Sequence, residues 1–167
     1  MKSFTQYINE IFDKPYPVKM DKTTSPLSGK TYMITYKFKS VNGSRYEVDL
    51  TFVPVLNNMV VNLARLDGRK GVFQAGGGDA LKVYATTIEC MKRGLVEMEE
   101  ARGEKIGSIT FQSPIAGGAS INDKRRNTYL KMVKRFSKEM GFKFSYSVNN
   151  RPEFGEYYSF RLDRKGM

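Results

Sequence analysis

Three consecutive glycines, Gly76, Gly77 and Gly78, run into Asp79 and then into a helical apolar pattern within the stretch from Gln74 to Thr87, QAGGGDALKVYATT. Glycine permits positive φ and close approach of backbone to a partner, and the start of a helix offers free N–H groups. Such a strand-to-helix turn can cradle a phosphate. It also serves as an ordinary tight connection, and Asp79 as N-cap would satisfy the same N–H groups and repel an anion. The second concentration of chemistry is basic: Lys124, Arg125, Arg126, Lys131, Lys134, Arg135 and Lys138 stand against Asp123 and Glu139. Cations in a first helical turn oppose the dipole, so Lys124, Arg125 and Arg126 are badly placed for helix stability alone. They read either as a solvated charged face or as an anion site, in which arginine engages phosphate oxygens bidentately. Tyr129 and Phe136 fall on the apolar face of the same segment and do not interleave with the charges, which disfavours base stacking.

The rest of the composition narrows the chemistry. There is no histidine, which removes histidine triads, histidine general bases and histidine metal ligands, so any catalysis uses carboxylates, tyrosine, lysine or backbone. No paired-carboxylate, metal or P-loop signature stands out, and Glu47 and Asp49 read as the solvent face of a strand. The only cysteine, Cys90, sits in a helical pattern and is expected to be a buried structural thiol. A net charge of +11 over 167 residues favours nucleic acid, an anionic surface or an acidic partner. The N-terminus lacks the pattern of a signal peptide, so synthesis inside the cell is expected, and no apolar run approaches the roughly 18 residues of a membrane span.

The elements that must position these groups follow from periodicity. Phe4, Tyr7, Ile8, Ile11 and Phe12 recur at helical spacing over residues 1–13, a short amphipathic helix. Residues 14–30, with Pro15, Pro17 and Pro26, read as an extended connector with little regular structure. From Thr31 the period becomes two. Tyr32, Ile34, Tyr36 and Phe38 alternate with polar positions, Asn42-Gly43 predicts a type I′ turn, and Tyr46, Val48, Leu50 and Phe52 return. Met59, Val61 and Leu63 mark a third strand. A helix is expected from about Asp79 to Glu99, its acidic end unfavourable for the dipole, then a strand from Ile106 to Phe111. A second helix over about Asn122 to Met140 ends at Gly141, and strands at Phe142 to Val148 and Tyr157 to Leu162 flank a turn at Asn149 to Pro152. The fold class is α+β with α/β character: one domain over 31–167, with a mixed, largely antiparallel sheet and two long packed helices.

Three resemblances attach to these residues. The decapeptide MKSFTQYINE resembles the capsid-targeting sequences of T-even-type bacteriophage head proteins, in which Ile8, Asn9 and Glu10 match the cleavage signal, implying processing after Glu10. The element order resembles the GNAT superfamily of N-acetyltransferases, whose glycine turn holds the pyrophosphate of acetyl-coenzyme A. Gln74 and Gly77 follow that turn's pattern, and Asp79 stands at its last position, where the family has Gly or Ala. By the same resemblance Gln74, Gly76, Gly77 and Gly78 would bind the coenzyme, and Asn122 with Tyr129 would match the family's Asn and Tyr, making Tyr129 the general acid that protonates the departing thiolate. The family's usual early helices have no counterpart, and the second helix is about two turns longer. Gly76, Gly78, Asp79, Ala80, Val83, Tyr84, Ala85, Thr86, Arg125 and Tyr129 also fit an outline similar to a group of tailed-bacteriophage proteins, which implies a phage origin. The expectation is a basic, virion-associated or nucleic-acid-proximal accessory protein without catalysis, in the virion or host cytoplasm. Lys124, Arg125, Arg126, Lys131 and Arg135 would form its anion or nucleic-acid site, other phage structural proteins or DNA its partners, with no metal and no membrane. The alternative is an acetyl-coenzyme A-dependent N-acetyltransferase, the one reading that requires a cofactor.

Overall fold

A computed structural model describes residues 3, 6, 14–66, 80–114, 123–152 and 155–167, and of these gives backbone alone for 80, 81, 112–114, 123–129, 150, 151 and 155–158. The chain is a mixed α+β protein. Strands β1 (Lys19–Thr24), β2 (Thr31–Lys39), β3 (Arg45–Val53) and β4 (Asn58–Arg65) are followed by helix α1 (Ala80–Arg102), then β5 (Ser108–Pro114), helix α2 (Asp123–Met140), β6 (Phe142–Arg151) and β7 (Gly155–Arg164). The seven strands form one sheet in the order β1-β2-β3-β4-β5-β7-β6. All neighbours are antiparallel except β4 and β5, which run parallel.

The period of two is realised as one apolar face. Ile34, Tyr36 and Phe38 of β2 lie in register with Leu50, Val48 and Tyr46 of β3, and all six are buried. Met59 and Val61 continue the face through β4, Ile109 and Phe111 through β5, and Phe160 and Leu162 through β7. Both helices cover it. Helix α1 contributes Val83 and then Ile88, Met91, Leu95 and Met98, the last four at three- and four-residue steps along one face, and α2 contributes Met132, Val133 and Phe136. At Gly94 the helix comes so close to β3 that an added Cβ would overlap the Leu50 side chain and lie 3.3 Å from the Tyr36 ring.

The ends of α1 explain its acidic tail. The helix continues past Glu99 to Arg102 and closes on Gly103, whose φ of +67° lets its N–H donate to Glu99 O at 2.8 Å. The Glu99 carboxylate accepts the Ile106 N–H at 3.1 Å, Lys105 Nζ at 3.2 Å and the guanidinium of Arg164, so the unfavourable charge is matched by cations. Arg164 Nε also donates to Ile106 O at 2.7 Å, which ties the last strand to the α1–β5 connection.

Four details differ from the sequence reading. Within the expected connector, Lys19–Thr24 pairs with β2 as an edge strand; its residues are almost all exposed, so no apolar alternation announces it. The β2–β3 turn is not type I′. Asn42 is not among the positive-φ residues, and Gly43 alone takes the left-handed conformation at φ +90°, with its N–H donating to Ser40 O at 3.0 Å. The Asn42 side chain accepts from Ser44 N at 3.1 Å and from Ser40 Oγ, which stabilises this three-residue turn. The segment from Asn149 to Arg151 is ladder rather than turn: Asn149 pairs with Tyr157, and its Nδ2 donates to Ser147 Oγ and Ser159 Oγ, each at 3.1 Å. Strand β5 begins at Ser108 and runs to Pro114. The expected N-terminal helix lies outside the described residues except at Ser3 and Gln6. There Ser3 N donates to Gln6 Oε1 at 2.9 Å and Gln6 N to Ser3 Oγ at 3.2 Å, the reciprocal pattern of a capping box.

Candidate functional site

The parallel pair is the unusual joint of the sheet. Strands β4 and β5 share four register pairs, from Asn58↔Ser108 to Val61↔Phe111. Beyond that point β4 stays paired with β3 as far as Arg65, and β5 with β7 as far as Pro114. The two strands therefore part after Val61 and Phe111, and the sheet forks toward their carboxyl ends. Below the fork a side-chain link crosses the pair: Asn58 Nδ2 donates to Thr110 Oγ1 at 2.9 Å, and Ser108 Oγ donates to Asn58 Oδ1 at 2.9 Å. A cavity of about 850 Å³ lies at the fork, lined by Val60, Val61 and Asn62 of β4, Thr110 and Phe111 of β5, and residues 145–147 and 159–161 of the β6–β7 hairpin. Crevices outside the carboxyl ends of parallel strands are where open sheets hold ligands. The volume lies within the roughly 300–1,000 Å³ typical of small-molecule and cofactor sites.

Helix α1 follows β4 in the chain and precedes β5. Its first turns are pinned by residues from before β1. Tyr16 N–H donates to Thr86 Oγ1 at 2.9 Å, Thr86 Oγ1 donates to Lys82 O at 2.7 Å, and Lys82 Nζ sits 4.4 Å from the centre of the Tyr16 ring. Tyr16 is buried, stacks on Phe38, and accepts the Val41 N–H at its hydroxyl at 3.2 Å. This strap fixes where the start of α1 points.

The coenzyme residues Gln74, Gly76, Gly77 and Gly78, the cap Asp79 and the processing residue Glu10 lie outside the described residues. The backbone of Lys124, Arg125, Arg126 and Tyr129 lies in α2. Lys131 is exposed on α2, as are Lys134 and Lys138, which follow at helical spacing. Arg135 is engaged: its Nε donates to Glu139 Oε1 at 2.8 Å, while Lys92 Nζ of α1 donates to Glu139 Oε2 at 2.6 Å. The Lys92 and Arg135 hydrogen bonds hold the Glu139 carboxyl below its ordinary range. Two further groups are perturbed. Burial pushes the Cys90 thiol up to about 12 and the neighbouring Tyr36 phenol up to about 12. Among the described residues no three acidic or thiol groups cluster as metal ligands, and no helix is long and apolar enough to cross a membrane.

Sequence reasoning missed the residues at the fork. Asn62, Thr110 and Ser159 are small polar members of alternating strands, a pattern that marks an outward face anywhere. Only the pairing of β5 with both β4 and β7 brings them together. Compared with known proteins, the chain matches no protein-family model and no curated protein.

Proposed function

We propose that the fork between β4 and β5 is the ligand cleft of an acyl-coenzyme A-binding domain of GNAT type, acting as an N-acetyltransferase. The observation that carries this reading is the parting of the parallel pair after Val61 and Phe111, with a cavity at the fork and helix α1 following β4 in the chain. Past Val61, β4 has no parallel neighbour among the described residues, so backbone N–H and C=O groups on that side can accept an extended polar chain. A pantetheine arm, itself two amides in series, fits that requirement. The glycine turn of residues 76–78 and the first N–H groups of α1 would hold the pyrophosphate, and Tyr129 would return a proton to the departing thiolate. Bound there, the coenzyme supplies an activated acyl group for attack by an amine. Acetyl-coenzyme A is expected to raise the melting temperature of the protein, and Gly77→Glu to abolish the shift by placing a carboxylate against the phosphates. No shift at millimolar coenzyme overturns the reading.

A second reading is favoured by a separate observation. Lys131, Lys134 and Lys138 form an exposed stripe on α2, in a chain of net charge +11. The stripe suits a polyanion such as DNA, as a virion-associated accessory protein would require.

A further inference from the structure

The two edges of the sheet differ in how they are protected. Strand β1 is six residues long, carries Lys19, Asp21 and Lys22, and loses register between Thr23 and Thr24. Charge, shortness and irregularity are the usual means of closing an edge to further pairing. Strand β6 is neither short nor irregular, and its charges are confined to Lys143 and Arg151 near its ends. It is ten residues long, holds an unbroken register with β7 from Phe142↔Arg164 to Arg151↔Gly155, and carries no charge from Phe144 to Asn150. Among the described residues it pairs with β7 alone. Its side chains at the middle of the edge are open: Tyr146 is 43% exposed and Val148 48%, and Ser145 and Ser147 are exposed on the opposite face.

We propose that β6 is a self-association edge, on which a second copy of this chain adds its own β6 antiparallel about a two-fold axis through Tyr146. The occupant is read from the symmetry of the strand. Phe144, Ser145, Tyr146, Ser147 and Val148 read apolar, polar, apolar, polar, apolar from either end. Centred on Tyr146, an antiparallel copy sets Phe144 opposite Val148 and Tyr146 opposite itself on the helix side of the sheet, and Ser145 opposite Ser147 on the other. Phe144 already stacks with Tyr146 and with Phe160, and Tyr146 lies tilted against Phe160, so the added strand meets an ordered aromatic row. The charges agree with the same register. Lys143 falls opposite Asn149, Arg151 lies beyond the central pairs, and no like charges face each other. An isologous contact of this kind is closed, joining two sheets into one and leaving β1 at both outer edges. A single strand pair buries less than a standard interface, so the dimer forms at high protein concentration. Mutual repulsion of two highly positive chains makes added salt tighten it.

Sedimentation equilibrium of the full chain up to about 1 mM, a range suited to interfaces below ~1,200 Å², is expected to show a monomer–dimer equilibrium that strengthens with salt. The double variant Ser145→Glu, Ser147→Glu places like charges opposite each other twice and should weaken dimerisation roughly tenfold or more, although it lowers the net repulsion between chains. Ser145→Lys with Ser147→Glu places opposite charges at the same two positions and should restore it. Both serines are exposed, and unchanged melting of dilute protein establishes that the fold is intact. A wild-type chain that stays monomeric across the range overturns the proposal. So does a dimer in which the Glu/Glu and Lys/Glu variants associate equally.

Discussion

Tyr36 and Cys90 show what a buried acid does to the pH range of a fold. Tyr36 lies in β2 beneath α1, its buried hydroxyl without a hydrogen-bond partner among the described residues, and Cys90 is fully buried on the facing helix. Their ordinary values of 10.0 and 9.0 rise to about 12. Between pH 9 and 12 the unfolded chain therefore releases protons that the folded chain keeps. Stability is full below pH 9 and falls as pH rises toward 12. A melting temperature that declines from pH 9 upward, and declines less in Cys90→Ala with Tyr36→Phe, is the expected result; an unchanged decline in that variant refutes the assignment. The same burial makes Cys90 inert to thiol reagents in the native protein and reactive at the rate of unfolding. Glu99, a partly buried carboxylate held by two cations and an amide, joins α1, the connection to β5 and strand β7 at one point.

At the scale of elements, α1 lies on the sheet as closely as Gly94 permits. Alanine in a helix interior ordinarily gains about 1 kcal/mol over glycine. Here the new methyl group overlaps the side chain of Leu50, itself fully buried, so Gly94→Ala is expected to cost about 1–3 kcal/mol. Chemical denaturation measures this, and a stabilised variant would show that the contact relaxes. Close approach of a helix to another element leaves no local trace in a sequence, so periodicity along α1 does not single out Gly94. The elements that were legible are those with a strong period: Ile34 to Phe38, Tyr46 to Phe52, and the apolar stripes of both helices. Strand β1 was illegible because an edge strand exposed on both faces needs no alternation. The Asn42-Gly43 turn was misread because an asparagine side chain can satisfy neighbouring groups in either of two turn types.

At the scale of the molecule, charge and topology pull toward different readings, and each has its own measurement. If the lysine stripe of α2 contacts phosphates, Lys131→Glu, Lys134→Glu and Lys138→Glu together should weaken DNA binding uniformly across sequences and lower the slope of log affinity against log salt by about 2–3. Binding that does not weaken with salt contradicts a phosphate-led mode. The mixed α+β class followed from element order, but the candidate cleft did not. The insertion of β7 between β5 and β6 is a matter of pairing over distance, which periodicity along the chain cannot encode.

The joint at Asn58 and Ser108 also orders events in time. Strands β2, β3 and β4 pair with near neighbours in the chain and can form as soon as they leave the ribosome, whereas Ser108 follows Asn58 by 50 residues. Until β5 arrives, the outer side of β4 is an uncovered edge carrying Met59 and Val61. The last strand to enter the sheet's interior is β7, which needs nearly the whole chain. Closing such non-local pairs is the slow part of folding. A chain halted before β5 would leave open, from Asn58 to Val61, the backbone groups that the finished sheet pairs with β5.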